Sequence, residues 1–200
     1  MGLAYLFGGK FYDFLDEHFE KIRYAKIRKG LLKNINGKIL DAGCGTGRNF
    51  EYYNKKADVI GVDNSEKMLE VARKRIIGSK AKISVIEMDL RKLSLGDNTF
   101  DNIVASFALC VMNEKDELLA LNELIRVAKR GARLYFLEYV YSQNPIRKIL
   151  MFIMAFIPRV LYGLRFNSTL PVVERENRLK IEKTELVYDD VVRLIVAKKL

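Results

Sequence analysis

The stretch Ile39-Leu40-Asp41-Ala42-Gly43-Cys44-Gly45-Thr46-Gly47 constrains this chain more than any other. An apolar run passes directly into a turn whose glycines alternate, at Gly43, Gly45 and Gly47, with Asp41 just ahead of them. Glycine lets a backbone turn tightly and approach a ligand with no Cβ in the way. Arg48 and Asn49 follow as a polar helix start, the kind of place where free backbone N–H groups collect. A dinucleotide fingerprint would read Gly-x-Gly-x-x-Gly with an acid about 20 residues further on. Here the third glycine arrives one residue early, which weakens a pyrophosphate reading.

The rest of the chain supplies a frame for that turn. Strands are predicted at 38–42, 58–62, 82–87, 101–106 and 132–140, with helices between them at 47–55, 65–77 and 115–129. The strands are apolar runs rather than strict alternations, as expected where helices cover both faces of a parallel sheet. Ser65, ahead of Met68, Leu69, Val71 and Ala72, suits a helix cap. Alternating units of this length predict a doubly wound α/β fold. Upstream, 10–33 reads as an amphipathic helix: Phe11, Phe14, Leu15, Phe19 and Ile22 share one face, with Lys and Arg on the other. Residues 179–187 and 191–197, joined around Asp189-Asp190, predict an antiparallel hairpin closing one sheet edge.

A chain of 200 residues, half of them hydrophobic, is enough for one domain with a full core. It is divided here into a helical segment 1–35, a core 38–140, an excursion 142–178 and the closing strands 179–200. Cys44 and Cys110 lie far apart with no metal-ligand spacing, so neither a metal nor a disulfide framework is expected, and a reducing cytosol is the default. The start Met1-Gly2-Leu3-Ala4-Tyr5-Leu6-Phe7 lacks a charged region and a cleavage pattern, so it is not read as a signal peptide. The net charge of +10 suits an anionic partner such as nucleic acid, an acidic substrate or a membrane face. A Lys/Glu-rich thermophile surface has the same balance.

Three further signals follow the glycine turn. Val59-Ile60-Gly61-Val62-Asp63 ends a strand in an acid, at the distance where a carboxylate accepts both hydroxyls of a ribose. Met88-Asp89-Leu90 follows the third strand, where an acid and apolar neighbours can hold an adenine ring and its amino group. Ser106-Phe107-Ala108-Leu109 follows the fourth. All lie at C-terminal strand ends, the edge where open α/β sheets bind ligands. Each alone also suits a helix cap or a turn.

Together these residues make the chain resemble the class I S-adenosylmethionine-dependent methyltransferases over 38–140, with 179–197 also fitting. The resemblance implies S-adenosylmethionine as cofactor and S-adenosylhomocysteine as product. It assigns Asp41, Gly43, Cys44, Gly45 and Gly47 to the turn facing the methionine part, and Asp63 to the ribose, with Asn64 and Met68 just behind. Asp89 and Leu90 match the adenine-site pair, and Ser106 and Phe107 the segment facing the methyl donor. Arg126-Val127-Ala128-Lys129-Arg130-Gly131-Ala132 resembles the turn before the fifth strand, but has Arg130 and Ala132 where the family's Leu-Lys-Pro-Gly-Gly has Pro and Gly. The implied sheet is seven-stranded, Rossmann-like and mostly parallel, in order 3-2-1-4-5-7-6 with strand 7 antiparallel and an N-terminal helical lid. Such chemistry is an in-line displacement from an activated methyl, needing neither metal nor covalent nucleophile.

Three features bear on the acceptor. Phe11-Tyr12-Asp13-Phe14 resembles the lid of a subgroup that includes quinone C-methyltransferases and bacterial phospholipid N-methyltransferases, and Tyr12 matches the aromatic residue covering the cofactor. These rings suit plain aromatic packing equally, and His18 is read as a packed lid residue. Leu137-Glu138-Tyr139 ends the fifth strand where relatives that methylate amines or thiols often carry an acid followed by His; Tyr139 replaces that His, which leaves Glu138, a bound water or no base at all, and Glu138 and Tyr139 join Tyr12 as catalytic candidates. The apolar run 149–157, flanked by Arg147, Lys148, Arg159 and Arg165, suits insertion at an anionic membrane surface or a core helix with a solvated face. It is too short to span a bilayer, which takes about 20 apolar residues.

The expectation is therefore a cytoplasmic, peripherally membrane-associated methyltransferase of a small hydrophobic or lipid-like acceptor, a phospholipid amine first. A soluble thiol or quinone acceptor, and a non-catalytic cofactor-binding protein, are the alternatives. No Asn/Asp-Pro-Pro-Tyr motif for a flipped base is present, so nucleic acid is not the expected partner.

Overall fold

A computed structural model describes residues 24–154 and 164–200. Tyr12, His18 and the 155–157 end of the apolar run lie outside the described residues. The elements are α1 (Ala25–Leu32), β1 (Gly37–Ala42), β2 (Ala57–Asp63), α2 (Glu66–Ile76), β3 (Lys82–Glu87), β4 (Phe100–Ser106), α3 (Glu114–Val127), β5 (Ala128–Tyr139), α4 (Pro145–Met154), α5 (Thr169–Glu174), β6 (Leu179–Tyr188) and β7 (Val192–Lys199).

The seven strands form one sheet in the order β3-β2-β1-β4-β5-β7-β6. Contacts among β1 to β5 are parallel. Only β7 runs against its neighbours, β5 on one side and β6 on the other. The order reverses beside β1, so the loops after β1 and β4 face each other across a crevice at the C-terminal strand ends, the place where such sheets bind ligands.

Successive residues of a strand point to opposite faces, which divides the core in two. Leu40, Ala42, Ile103, Leu134 and Phe136 pack with Leu121 and Leu124 of α3 and Val172 and Val173 of α5. On the other face, Ile39, Val59 and Val104 pack with Leu32 of α1 and Leu69 and Ala72 of α2. Leu137, Leu194 and Val196 extend that second face towards Tyr24 and Tyr139.

The structure differs from the sequence reading in several places. No helix spans 47–55: turns lead to a short 3-10 segment, Phe50–Tyr52. Gly47 holds φ at +78°, outside the α region, and Asn49 is drawn inward to serve Asp41. Ser65 occupies the N-cap of α2 without a side-chain capping bond, and its own N–H is given to Asp63. The expected turn before the fifth strand is absorbed into it. β5 starts directly after α3, and Gly131, at φ +81°, accompanies a register shift against β4. Arg28, expected on the solvated face of the first helix, is 7% exposed, since Tyr24, Arg28 and Leu32 are spaced four apart on the face turned to the sheet.

Candidate active site

β1 delivers the glycine turn. Asp41 and Ala42 pair with Gly61 and Val62 of β2, and the Cys44 N–H donates to the Val62 carbonyl at 2.9 Å, so the chain leaves the sheet at a fixed height. A Cβ on Gly43 would lie 2.5 Å from that of Ala108, so the turn sits directly on the loop after β4. Gly45, at φ +54°, is different: a Cβ there would meet no protein atom within 4 Å. That stretch of backbone is uncovered, with space for another molecule to come close to it. Arg75 of α2 braces it by donating to the Thr46 carbonyl at 3.0 Å and hydroxyl at 2.8 Å.

Asp41 lies beneath the turn, 1% exposed. The Asn49 amide nitrogen donates to both of its oxygens at 3.0 Å, and the Tyr53 hydroxyl reaches Oδ2 at 3.2 Å. Burial pushes its carboxyl up to about 6, against the pull of Asn49, then of Arg28 and Tyr53. Cys44 is buried among Ile39, Phe50, Val59 and Leu69, and burial raises its thiol well above the ordinary value. Its contribution to the turn is therefore backbone, while the sulfur belongs to the core. Cys110 is likewise buried, its thiol pushed up to about 12 chiefly by burial.

Asp63 ends β2 and accepts the Gly45 N–H at 2.9 Å and the Ser65 N–H at 3.0 Å. One carboxylate thereby ties the glycine turn to the start of α2. Burial raises its pKa, against those amide bonds. Asn64 beside it is exposed, while Met68 is buried on α2. At the next strand end the Met88 N–H donates to the Asp63 carbonyl at 2.9 Å. Asp89 is clasped by Arg91 through Nε at 3.0 Å and Nη2 at 2.6 Å, which holds its carboxyl below the usual range. Leu90 is buried below it.

The opposite wall comes from β4 and β5. The Ser106 hydroxyl accepts from Asn49 at 3.4 Å. Phe107, at φ +59°, donates its N–H to the Leu137 carbonyl at 2.9 Å and turns its ring onto Tyr139, centroids 4.5 Å apart. Tyr24 packs at 5.2 Å from the same ring.

Glu138 and Tyr139, adjacent in sequence, part company here. Tyr139 joins the Phe107 wall, whereas Glu138 points through the sheet. Its oxygens accept from the Thr169 N–H at 2.8 Å and from Arg193 at 3.2 Å. Arg165 joins the same cluster from its half-exposed side, bonded to Glu117 at 3.1 Å and to the Met112 carbonyl at 2.7 Å. Burial raises the pKa of both glutamates. Glu138 thus pins the chain after α4 to the sheet, and its separation from Tyr139 follows from strand geometry.

Asp41, Asp63, Asp89, Ser106, Phe107 and Tyr139 accordingly line one edge. Sequence reasoning missed Arg28, Asn49, Tyr53 and Thr46. Arg28 had a legible signal in its spacing between Tyr24 and Leu32, but Asn49 had none beyond its place after the turn. Among the described residues no group of His, Cys, Asp and Glu could hold a metal ion.

Residues 39–131 match the family described as a methyltransferase domain. A demethylmenaquinone methyltransferase of Shouchella clausii is 32% identical over 152 residues, spanning 72% of this chain and 64% of that protein. A ubiquinone/menaquinone biosynthesis C-methyltransferase of Burkholderia mallei is 35% identical over 131 residues, or 64% of this chain and 51% of that one. The chain thus spans roughly half to two thirds of the length of these curated relatives. Among solved structures, a SAM-dependent methyltransferase of Methanosarcina mazei matches with a TM-score of 0.65 at 22% identity, over 87% of this chain and 96% of that one. A SAM-dependent methyltransferase of Thermotoga maritima gives 0.69 at 23% identity, over 96% and 98%. At these identities the structures establish the fold.

Proposed function

We propose that the chain, which matches a methyltransferase domain over 39–131 and resembles the two curated methyltransferases, is a class I S-adenosylmethionine-dependent methyltransferase that transfers a methyl group to a small hydrophobic or lipid-like acceptor met at a membrane surface. S-adenosylmethionine supplies an activated methyl on a positively charged sulfur and leaves as S-adenosylhomocysteine. The residues present fit it: Gly45 leaves an uncovered stretch of backbone with the Asp63 carboxylate bonded to its N–H, and Asp89 comes directly after Met88, whose N–H bonds to the Asp63 carbonyl. In this reading Gly43, Gly45 and Gly47 shape the seat for the methionine part, with Asp41 and the Cys44 backbone beneath. Asp63 takes the ribose hydroxyls, with Asn64 at its rim and Met68 behind, and Asp89 and Leu90 take the adenine. Ser106, Phe107 and Tyr139 form the wall at which the acceptor stands. Their shared task is to orient donor and acceptor in line and exclude water, where positioning alone provides much of the rate.

The observation that carries the acceptor class is α4. It begins six residues beyond Tyr139 and leaves Ile146, Ile149, Leu150, Phe152 and Ile153 between 53% and 71% exposed. A short helix with large apolar side chains in water is the pattern of an interfacial anchor. Its basic residues are turned back to the body: Arg147 pairs with Asp190 at 2.6 Å, and Lys148 lies over the Tyr141 ring. That leaves the apolar side chains outward. No helix among the described residues is long and apolar enough to cross a membrane, so the reading is of a surface contact.

A phospholipid amine suits this anchor and the net charge of +10. A quinone ring is the second reading, favoured by the quinone substrates named for the two relatives and by the flat Phe107–Tyr139 surface. Incubation with methyl-labelled cofactor separates them, using vesicles containing either phosphatidylethanolamine or a demethylated menaquinone. Label in the lipid fraction of either supports the hydrophobic acceptor and names its class. Label only in a soluble thiol or amine control overturns it.

A further inference from the structure

We infer that Arg28 is a positioning residue for the cofactor turn, acting through Asn49; the inference rests on the reading of that turn as the methyl-donor site. Arg28 is carried by α1, outside the sheet, yet its Nη1 donates to Asn49 Oδ1 at 2.5 Å in a buried contact. Asn49 in turn donates through Nδ2 to both oxygens of Asp41 at 3.0 Å and reaches the Ser106 hydroxyl at 3.4 Å. The same guanidinium lies 5.6 Å from the centre of the Phe107 ring. One side chain from α1 therefore touches the glycine-turn wall and the methyl-facing wall together.

The chemistry of the amide makes this contact directional. A primary amide has an accepting end and a donating end. With the guanidinium on one side and the Asp41 carboxylate on the other, only one orientation satisfies both. Turned over, Asn49 would set its oxygen against a carboxylate and its NH2 against a cation. Arg28 thus dictates that Asn49 donates to Asp41 and to Ser106, joining the loop after β1 to the end of β4. Without the guanidinium, the amide is released and the buried carboxylate retains only Tyr53 firmly. The groups facing Asp41 are Arg28, Tyr53, Cys44 and Asp63. Among them Arg28 alone is cationic, so its loss also makes Asp41 easier to protonate.

Titration calorimetry of the whole chain with S-adenosylmethionine, with a thermal melt of each variant, tests this. Arg28→Met, which keeps the aliphatic stem, is expected to weaken cofactor binding by about 10- to 100-fold. Arg28→Lys is expected to recover part of that loss, and Arg28→Met/Asn49→Ala to bind no more weakly than Asn49→Ala alone, because the two residues act in series. In Arg28→Met the acid-side loss of affinity is expected to move to higher pH. Losses that add in the double variant overturn the inference, as does a lowered Tm with unchanged affinity. Should Arg28→Met fail to fold, Arg28→Lys with and without Asn49→Ala makes the same comparison. A wild-type chain that does not bind the cofactor overturns the donor-site reading itself. Wild-type binding that Arg28→Met leaves intact overturns only the role of Arg28.

Discussion

Phe107 and Tyr139 stack at 4.5 Å with their planes 27° apart, although the contact requires Phe107 to hold a left-handed φ of +59°. That conformation costs a side-chain-bearing residue on the order of 1 kcal/mol and persists only where the surroundings over-determine it. Here the Phe107 N–H bonds to Leu137, and the ring packs between Tyr24 and Tyr139. The wall that faces the methyl donor in our reading is thus held by aromatic packing. Tyr139→Phe, which keeps the ring, is expected to retain methyl transfer within about threefold, while Tyr139→Ala loses at least about tenfold. A large loss in Tyr139→Phe would move the role from the ring to the hydroxyl.

Glu138 gives the opposite expectation. Its carboxylate holds the Thr169 N–H and Arg193 on the far side of the sheet from Tyr139. Glu138→Gln keeps an acceptor but removes the charge, and is expected to cost about 1–3 kcal/mol in urea unfolding. Methyl transfer per folded molecule should stay within a fewfold. Unchanged stability with abolished transfer would restore Glu138 to the chemistry.

Two glycines two residues apart should respond differently. In Gly43→Ala the new Cβ meets that of Ala108 at 2.5 Å, and a loss of more than about 2 kcal/mol of stability is expected. In Gly45→Ala the Cβ enters open space, so the cost should stay near the roughly 1–2 kcal/mol of its left-handed backbone. Cofactor affinity should nevertheless fall by at least about tenfold, because the methyl occupies the ligand's approach. Calorimetry and urea melts on the pair report both quantities. Equal affinity in Gly45→Ala and wild type would remove the turn from the binding site.

Asp41 sets a pH dependence. Its carboxyl stands at about 6 in the fold against an ordinary 3.8, so the native state holds this proton more tightly than the unfolded chain. Its favourable contribution is fully present below 3.8 and is lost as pH rises through about 6. Unfolding free energies of wild type and Asp41→Asn are expected to diverge across that window, against the wild type, by roughly 3 kcal/mol, and to run parallel above it. A drift of the opposite sign would show that Asp41 is not desolvated.

The sheet was largely legible because its signals are local. Apolar runs such as 58–62, closed by Asp63, mark a buried strand and its C-terminal end together, and Asp189-Asp190 marks the hairpin turn. What the sequence hid depends on long-range partners. The alternation of units predicts a helix over 47–55, but Asn49 is committed to Asp41 and Gly47 leaves the α region, and neither is visible in periodicity. Glu138 and Tyr139 look like one catalytic pair until the pleat turns them apart. Arg28 looks like a solvated base, although its spacing with Tyr24 and Leu32 placed it on the buried stripe. The acceptor is the least legible part, because an exposed α4 reports a surface and not the atom that is methylated.

The central claim is tested most directly by titrating the purified chain with S-adenosylmethionine, with S-adenosylhomocysteine as competitor. The expected result is saturable binding of one equivalent in the micromolar range, weakened at least about tenfold in Gly45→Ala and displaced by the product. No detectable heat at millimolar cofactor, from a chain shown by circular dichroism to be folded, would contradict it.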